Sequence, residues 1–323
     1  MSLPSGKSLA PLRKQGGGVS KSRSRVGKTP WTFILLCLSP WLIGFFGFTL
    51  YPMGSSLYMS FTKWDMINEP EWLGFANYTR MFTEDQEFWQ ALYNTLWISA
   101  ISIPLRIGFA MFTAWLLTKP RHGRSVYRTI FFIPSMVPTV AATMVFAYIF
   151  NPVFGPLNNL LMKFGIDEPP MWFDDPRYTK WGLIILGLWG IGDTTIIFLA
   201  GLLDIPRSLY EAASLEGANA WQQFRYVTFP MMTPVVFFSG VTGVIGSFQY
   251  FTQAFIAVPP LYDFSHSAYF YATHIYMVAF QWYEMGYASA LAWVLLLITL
   301  FFTMIILQTQ KRWVHYPNGS LFK

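Results

Sequence analysis

The chain has 323 residues, of which 54% are hydrophobic and only 12% charged, with 31 Phe, 17 Tyr and 14 Trp. Soluble domains carry about 25% charged residues, so this composition excludes one large water-solvated core and points to lipid as the main solvent. The net charge of +6 is unevenly placed, and the single cysteine, Cys37, excludes an intrachain disulfide.

Residues 1–29 hold seven Lys or Arg, no acid and many Gly and Ser. They read as a disordered basic tail, with contact to anionic lipid as the alternative. No signal-peptide apolar core with a small-residue cleavage site stands out. Gly6-Lys7-Ser8 and Gly27-Lys28-Thr29 resemble the end of a phosphate-binding loop, but Met1 and Ser22 stand where its first glycine belongs. Nucleotide binding by this chain is therefore not expected.

Six apolar stretches follow, at about 31–51, 92–117, 129–150, 181–203, 231–257 and 288–309. Each has the roughly 20 residues that a membrane-spanning helix needs. Four have no Asp, Glu, Lys or Arg; the second contains Arg106 and the fourth Asp193. Sixteen of the Lys and Arg outside the spans fall on the side of the two termini and five on the other. By the positive-inside bias both termini are cytoplasmic. The expected organisation is a basic tail (1–29), a six-span domain (30–310) that includes a cytoplasmic loop (204–234), and a short cytoplasmic tail (311–323).

That loop carries its own helix signals. Ser208-Leu-Tyr-Glu211 has the form of a capping box, and a short helix from there would run to Glu216 and stop at Gly217. Asn219-Ala-Trp-Gln222 repeats the start signal, for a second helix to about Thr228; Pro230 and Pro234 then mark entry into the fifth span. The fold expected is all-α and integral to the membrane, six transmembrane helices with a cytoplasmic helix-turn-helix loop.

Self-contained chemistry is missing from the sequence. His122, His266, His274 and His315 are scattered, so no metal site is expected. No G-x-S-x-G elbow presents a nucleophile. Asn77-Tyr-Thr79 and Asn318-Gly-Ser320 match the glycosylation triplet, a weak signal by itself.

The string E-A-A-x-x-E-G-A, spelled by Glu211, Ala212, Ala213, Glu216, Gly217 and Ala218, continues through Phe224 to Pro230 and Pro234. It resembles the signature of permease subunits of ATP-binding-cassette (ABC) importers, with Glu216 where Asp is usual. Further stretches are similar to the maltose/glycerol-3-phosphate-type carbohydrate permeases: Ser60-Phe-Thr-Lys-Trp64, Trp72-Leu-Gly-Phe-Ala-Asn-Tyr78, Tyr127-Arg-Thr-Ile-Phe-Phe-Ile-Pro134 and Lys311-Arg-Trp-Val-His-Tyr316. The resemblance implies that the loop is a coupling helix seated in a cleft of a separate cytoplasmic ATPase dimer. It also implies a second permease subunit as heterodimer partner, an extracytoplasmic solute-binding protein, and ATP with Mg on the ATPase rather than on this chain. Membrane lipid is the remaining partner, and no nucleic acid is expected.

Charges inside spans are costly and tend to mark pathways or pairs. Arg106 lies roughly 21 Å and Asp193 roughly 18 Å into their spans at 1.5 Å per residue. Two readings stand: a salt bridge between the second and fourth spans, or an Asp193 that accepts hydrogen bonds from a sugar. The resemblance implies that Trp189 and Asp193, with Phe248, Gln249 and Thr252, line the solute pathway. Phe248 and Thr252 share a helical face at this spacing, though Gln and Thr also bridge membrane helices structurally. The aromatic third external loop, with Tyr262, Phe264, Tyr269, Phe270, Tyr271, Trp282 and Tyr283, suits a binding-protein contact or an interfacial belt. An ion-coupled secondary transporter is the competing function, but no internal duplication is visible.

Overall fold

The computed structural model describes residues 31–119, 122–260, 263 and 266–315, without the side chain of Arg124. The basic tail 1–29, Arg121, Tyr262, Phe264, the Asn318 triplet and the last eight residues lie outside the described residues. The chain divides into two compact units, Met1–Pro52 and Met53–Lys323. In the first, α1 (Trp31–Phe45) continues through a π-helical turn, Phe46–Leu50, into α2 (Tyr51–Met59), which carries on into the second unit. Its apolar side chains are exposed, with Phe48 at 84%, as suits a helix solvated by lipid.

The second unit opens with the short antiparallel ladder β1 (Thr62–Lys63) and β2 (Glu71–Trp72), absent from the all-helical expectation. Asn77 holds it: its amide donates to Ser60 O and Thr62 O at 2.9 Å each, so this buried asparagine is occupied by its own backbone. After α3 (Ala76–Thr83) comes α4 (Gln86–Thr118), the longest helix. Then follow α5 (Arg124–Met136), α6 (Thr139–Ile149), α7 (Pro156–Lys163), α8 (Pro176–Trp189) and α9 (Gly192–Asp204). The chain closes with α10 (Arg207–Leu215), α11 (Ala220–Gln223), α12 (Phe229–Phe248), α13 (Thr252–Ala257), α14 (Tyr271–Tyr276) and α15 (Met285–Trp313).

Among the described residues four helical stretches are long and apolar enough to cross a membrane, and two bent helix pairs raise the number to six. The third and fourth spans are therefore not the continuous helices expected. α5 and α6 meet at 98°, because Pro138 has no N–H to donate and holds Val137 extended (ψ 129°). α8 and α9 meet at 53°, breaking at Gly190-Ile191. Gly192 has no room for a side chain there: a Cβ would lie 2.8 Å from the Phe131 carbonyl oxygen, so α9 begins pressed against α5. The fifth span also stops short: α12 ends at Phe248, and α13 restarts only at Thr252.

α4 is the element on which the others assemble. Toward its C-terminal end Ala110, Ala114 and Leu117 pack with Ile191, Phe198, Leu199 and Leu202 of the α9 region and with Met232 of α12. Toward its N-terminal end Phe88 packs with Tyr271, Val278, Tyr287 and Leu291. Polar residues fix the same end. Asn94, fully buried, donates to His266 O at 2.7 Å and Tyr269 O at 2.9 Å and accepts from Lys180 Nζ at 2.7 Å. Thr95 Oγ1 accepts the Tyr271 N–H at 2.9 Å. The segment expected to be a third external loop is consequently partly core: Tyr269, Phe270 and Tyr271 are buried, and of the expected aromatic surface Trp282 and Tyr283 remain exposed.

Asp85 ties this end together. It caps α4 by accepting the Phe88 N–H at 2.9 Å, and its carboxylate also receives Tyr287 Oη and lies 2.9 Å from Nε2 of the buried His274. Burial alone would raise its pKa, but the bonds from His274, Tyr287 and the Phe88 N–H outweigh that and hold it well below the usual carboxylate range. Its folded pKa being depressed, the stabilisation is fully present above the unfolded value and lost as pH falls through the folded one. Asp85→Asn is expected to lower unfolding free energy by about 2 kcal/mol at pH 8, as measured by thermal unfolding of the purified protein. A second test concerns space: a Cβ on Gly286 would overlap the Thr62 carbonyl oxygen, whereas Gly240 faces no neighbour. Gly286→Ala should cost about 1–3 kcal/mol and Gly240→Ala should be near neutral or stabilising.

Candidate translocation cavity and exposed helical loop

The three helix breaks converge on one cavity of about 530 Å³. Val137 and Thr139 flank the first break, Trp189 and Gly190 the second, and Gln249, Tyr250 and Phe251 form the third. α4 closes the wall with Ile98, Ser102, Ile103 and Arg106, and Asp193 enters from the first turn of α9. The lining is apolar with a scatter of hydroxyls and amides, and among the described residues Arg106 and Asp193 are its only ones of full charge.

Of the expected pathway residues, Trp189, Asp193, Gln249 and Thr252 line this cavity, with Arg106. Phe248 does not. It is 2% exposed and packs on Phe302 of α15 at 5.4 Å, because the helix ends there and turns the next residues inward instead. Phe248 and Thr252 accordingly do not share a helical face. Arg106 and Asp193 interact electrostatically, but no ion pair within 4 Å joins them among the described residues. Asp193 instead sits at the N-terminal turn of α9, which no side chain caps, where a carboxylate complements the helix dipole.

Tyr250 lies in the stretch 247–252 that the resemblance implies for the pathway, although it is not singled out there, and it lines the cavity. Its ring packs edge-on against Phe270 at 5.4 Å, and its hydroxyl is buried without a hydrogen-bond partner. Nothing in the pattern Ser247-Phe-Gln-Tyr-Phe-Thr252 marks a helix end, so sequence periodicity hides it.

At the far end of α9 the chain forms the loop read from sequence. α10 starts after Pro206, two residues ahead of the expected Ser208 cap, and no side chain caps it. Proline fixes its own φ and is well suited to precede a first turn, so Ser208 lies inside the helix. The other end follows the expected chemistry. Gly217 adopts φ +82°, its N–H donates to Ser214 O at 3.0 Å and Ala218 N–H donates to Ala213 O at 2.9 Å, the paired bonds of a Schellman stop. Asn219 and Gln222 form a complete capping box, with 2.9 Å and 2.8 Å bonds. The second helix is not separate, however: α11 passes through a π-helical turn, Phe224–Thr228, directly into α12.

Two bonds lock the loop into a unit, Tyr210 Oη to Thr228 Oγ1 at 2.9 Å and Gln223 Nε2 to Ser214 Oγ at 3.0 Å. Glu211, Ala212, Glu216 and Gly217 are exposed, and Ala213 and Ala218 are half-buried. Leu215 stands 91% exposed beside them, an apolar side chain that the sequence reading passed over.

Residues 106–313 match the family of binding-protein-dependent transport system inner membrane components. The probable ABC transporter permease protein YesP of Bacillus subtilis is 41% identical over 87% of this chain and 91% of its own length. The arabinooligosaccharides transport system permease protein AraP of the same organism is 30% identical over 84% and 87%. A solved bacterial alginate ABC transporter, in complex with its alginate pentasaccharide-bound periplasmic protein, superimposes with a TM-score of 0.76, covering 87% of this chain and 94% of that one. At 22% identity that likeness speaks for the fold.

If Arg106 and Asp193 formed a salt bridge, their removal would be strongly coupled. The geometry predicts otherwise: in a double-mutant cycle of Arg106→Gln and Asp193→Asn, the interaction term in thermal stability should stay below about 0.5 kcal/mol. The matched span contains most of the cavity lining, the loop between α9 and α12 and the helices that join them, and the chain belongs to the family of binding-protein-dependent transport system inner membrane components, the multi-pass membrane permeases of ABC transporters.

Proposed function

We propose that this chain is a permease subunit of a carbohydrate importer, translocating a sugar or oligosaccharide by alternating access. The observation that carries the coupling half of this reading is the exposed α10 and its left-handed stop at Gly217. Glu211 and Glu216 are exposed for basic groups on a partner, Ala212 and Ala213 permit close approach, and Leu215 offers an apolar knob. Such a surface suits a cleft in a cytoplasmic ATPase dimer, which binds ATP and Mg and performs the hydrolysis. The lysine and arginine bias supports cytoplasmic termini and a cytoplasmic α10.

The carbohydrate half rests on the cavity and the relatives together. AraP is named for arabinooligosaccharides and the solved transporter for alginate, both carbohydrates. In the cavity, Trp189 presents an aromatic ring, 40% exposed, and Asp193, Gln249 and Thr252 present polar groups. A sugar has an apolar C–H face and a rim of hydroxyls, so the two chemistries match. The chain supplies one lining of a pathway shared with a second permease, and an extracytoplasmic binding protein delivers the solute. Membership of the ABC permease family leaves the ion-coupled alternative without support.

Gly217 gives a direct test. A Cβ there meets nothing within 4 Å, so substitution costs only the strain of a left-handed residue, about 1–2 kcal/mol. Gly217→Arg should therefore still insert and fold, yet project its side chain into the docking surface. Solute-stimulated ATPase activity of the complex reconstituted from its own operon should be abolished by Gly217→Arg and retained in part by Gly217→Ala. Unchanged stimulation with Gly217→Arg would refute the coupling role of α10.

A further inference from the structure

The cavity holds donors that the chain itself leaves without an acceptor. Arg106 reaches the cavity surface from α4 and makes no hydrogen bond or ion pair among the described residues. A guanidinium presents five N–H donors and stays charged under all ordinary conditions. Inside a membrane-spanning helix such a charge is costly unless something pairs with it. Asp193 does not fill that place, since it forms no ion pair and the N-terminal turn of α9 already offsets its charge. The Tyr250 hydroxyl, buried in the same wall without a hydrogen-bond partner among the described residues, is a second donor.

Four hydroxyls of the lining have the opposite character. Ser135, Thr143, Thr242 and Ser247 donate their protons to carbonyls of their own helices, which leaves oxygen lone pairs on the cavity side. Neutral donors remain elsewhere in the lining, at Ser239 and in the amides of Gln249 and Gln253, and among the described lining residues Arg106 is the one cationic donor. A neutral sugar satisfies the acceptors through its hydroxyls and leaves Arg106 without a directly bonded counter-charge. A sugar acid satisfies both.

We propose that the cavity takes a uronate-bearing saccharide, its carboxylate held by Arg106 and the Tyr250 hydroxyl. Its hydroxyls donate to Asp193 and the Ser and Thr oxygens, and an unsubstituted C–H face lies against Trp189. Arginine matches a carboxylate with two parallel N–H···O bonds, a geometry that lysine does not reproduce. This assignment deepens the carbohydrate reading above and rests on it.

The test is equilibrium dialysis of the purified complex of both permeases and the ATPase, without the binding protein. The probes are labelled digalacturonate and its carboxyl-reduced neutral counterpart, galactobiose. Digalacturonate should bind at least about tenfold more tightly. Arg106→Gln should erase that preference while leaving galactobiose affinity in place, and Arg106→Lys should restore only part of it. Co-purification of the ATPase with each variant verifies assembly. Equal affinities in the wild type, or an Arg106→Gln that weakens both ligands alike, would overturn the uronate assignment alone. Binding of neither saccharide, together with no uptake of either by proteoliposomes carrying the complete system, would remove the carbohydrate reading and this inference with it.

Discussion

A helix that breaks inside a membrane exposes backbone N–H and C=O groups where no water reaches them, and hydrocarbon offers them nothing. That constraint organises this chain. Three spans break, at Val137-Pro138, at Gly190-Ile191 and over 249–251, and residues at all three breaks line one cavity. Irregular backbone is tolerated at membrane depth where it faces a polar space, and interrupted helices gathered around such a space are a common way to build a solute site. The long unbroken α4 completes the wall and carries Arg106 into it.

The N-terminal end of α4 shows how that arrangement is held. Asn94 and Thr95 of α4 bond to backbone groups between His266 and Tyr271, and Asp85 gathers His274 and Tyr287 around the helix start. Each of these polar residues has its partners within the chain, so the cluster fixes one arrangement rather than leaving buried groups unmet. The segment it fixes includes Phe270, against which Tyr250 packs. The orientation of a cavity residue is thereby traced to bonds made near the start of α4.

Local chemistry was legible in the sequence, and long-range chemistry was not. Gly217 and the Asn219–Gln222 box formed where their residue types required, because each motif is completed within a few residues of itself. Ser208 misled because Pro206, two residues earlier, had already set the helix start. Apolar length located the six spans but hid their interruptions, since lipid-facing composition continues across a break. Pro138 and Gly190 were visible signals for two of them; the third, in Gln249-Tyr-Phe251, contains no breaker at all. The carbonyls to which Asn94 donates lie more than 170 residues away, and only the folded chain brings them together. Tyr269, Phe270 and Tyr271 looked like a surface from composition and are core for the same reason.

The connectivity between loop and cavity gives the proposed coupling a physical route. α9 begins at the second break, with Asp193 in its first turn, and ends at the loop about 20 Å away at 1.5 Å per residue. α11 and α12 leave the loop and end at the third break, beside Gln249 and Tyr250. Both strands of chain that emerge from the loop therefore terminate at the cavity wall, and the Tyr210–Thr228 and Gln223–Ser214 bonds make the loop move as one piece. A displacement of α10 by an ATPase would reach the cavity along two helices at once. Because those helices end at breaks rather than running on, the wall can open there without unwinding a span, and the residues that would move are the ones proposed to contact the solute.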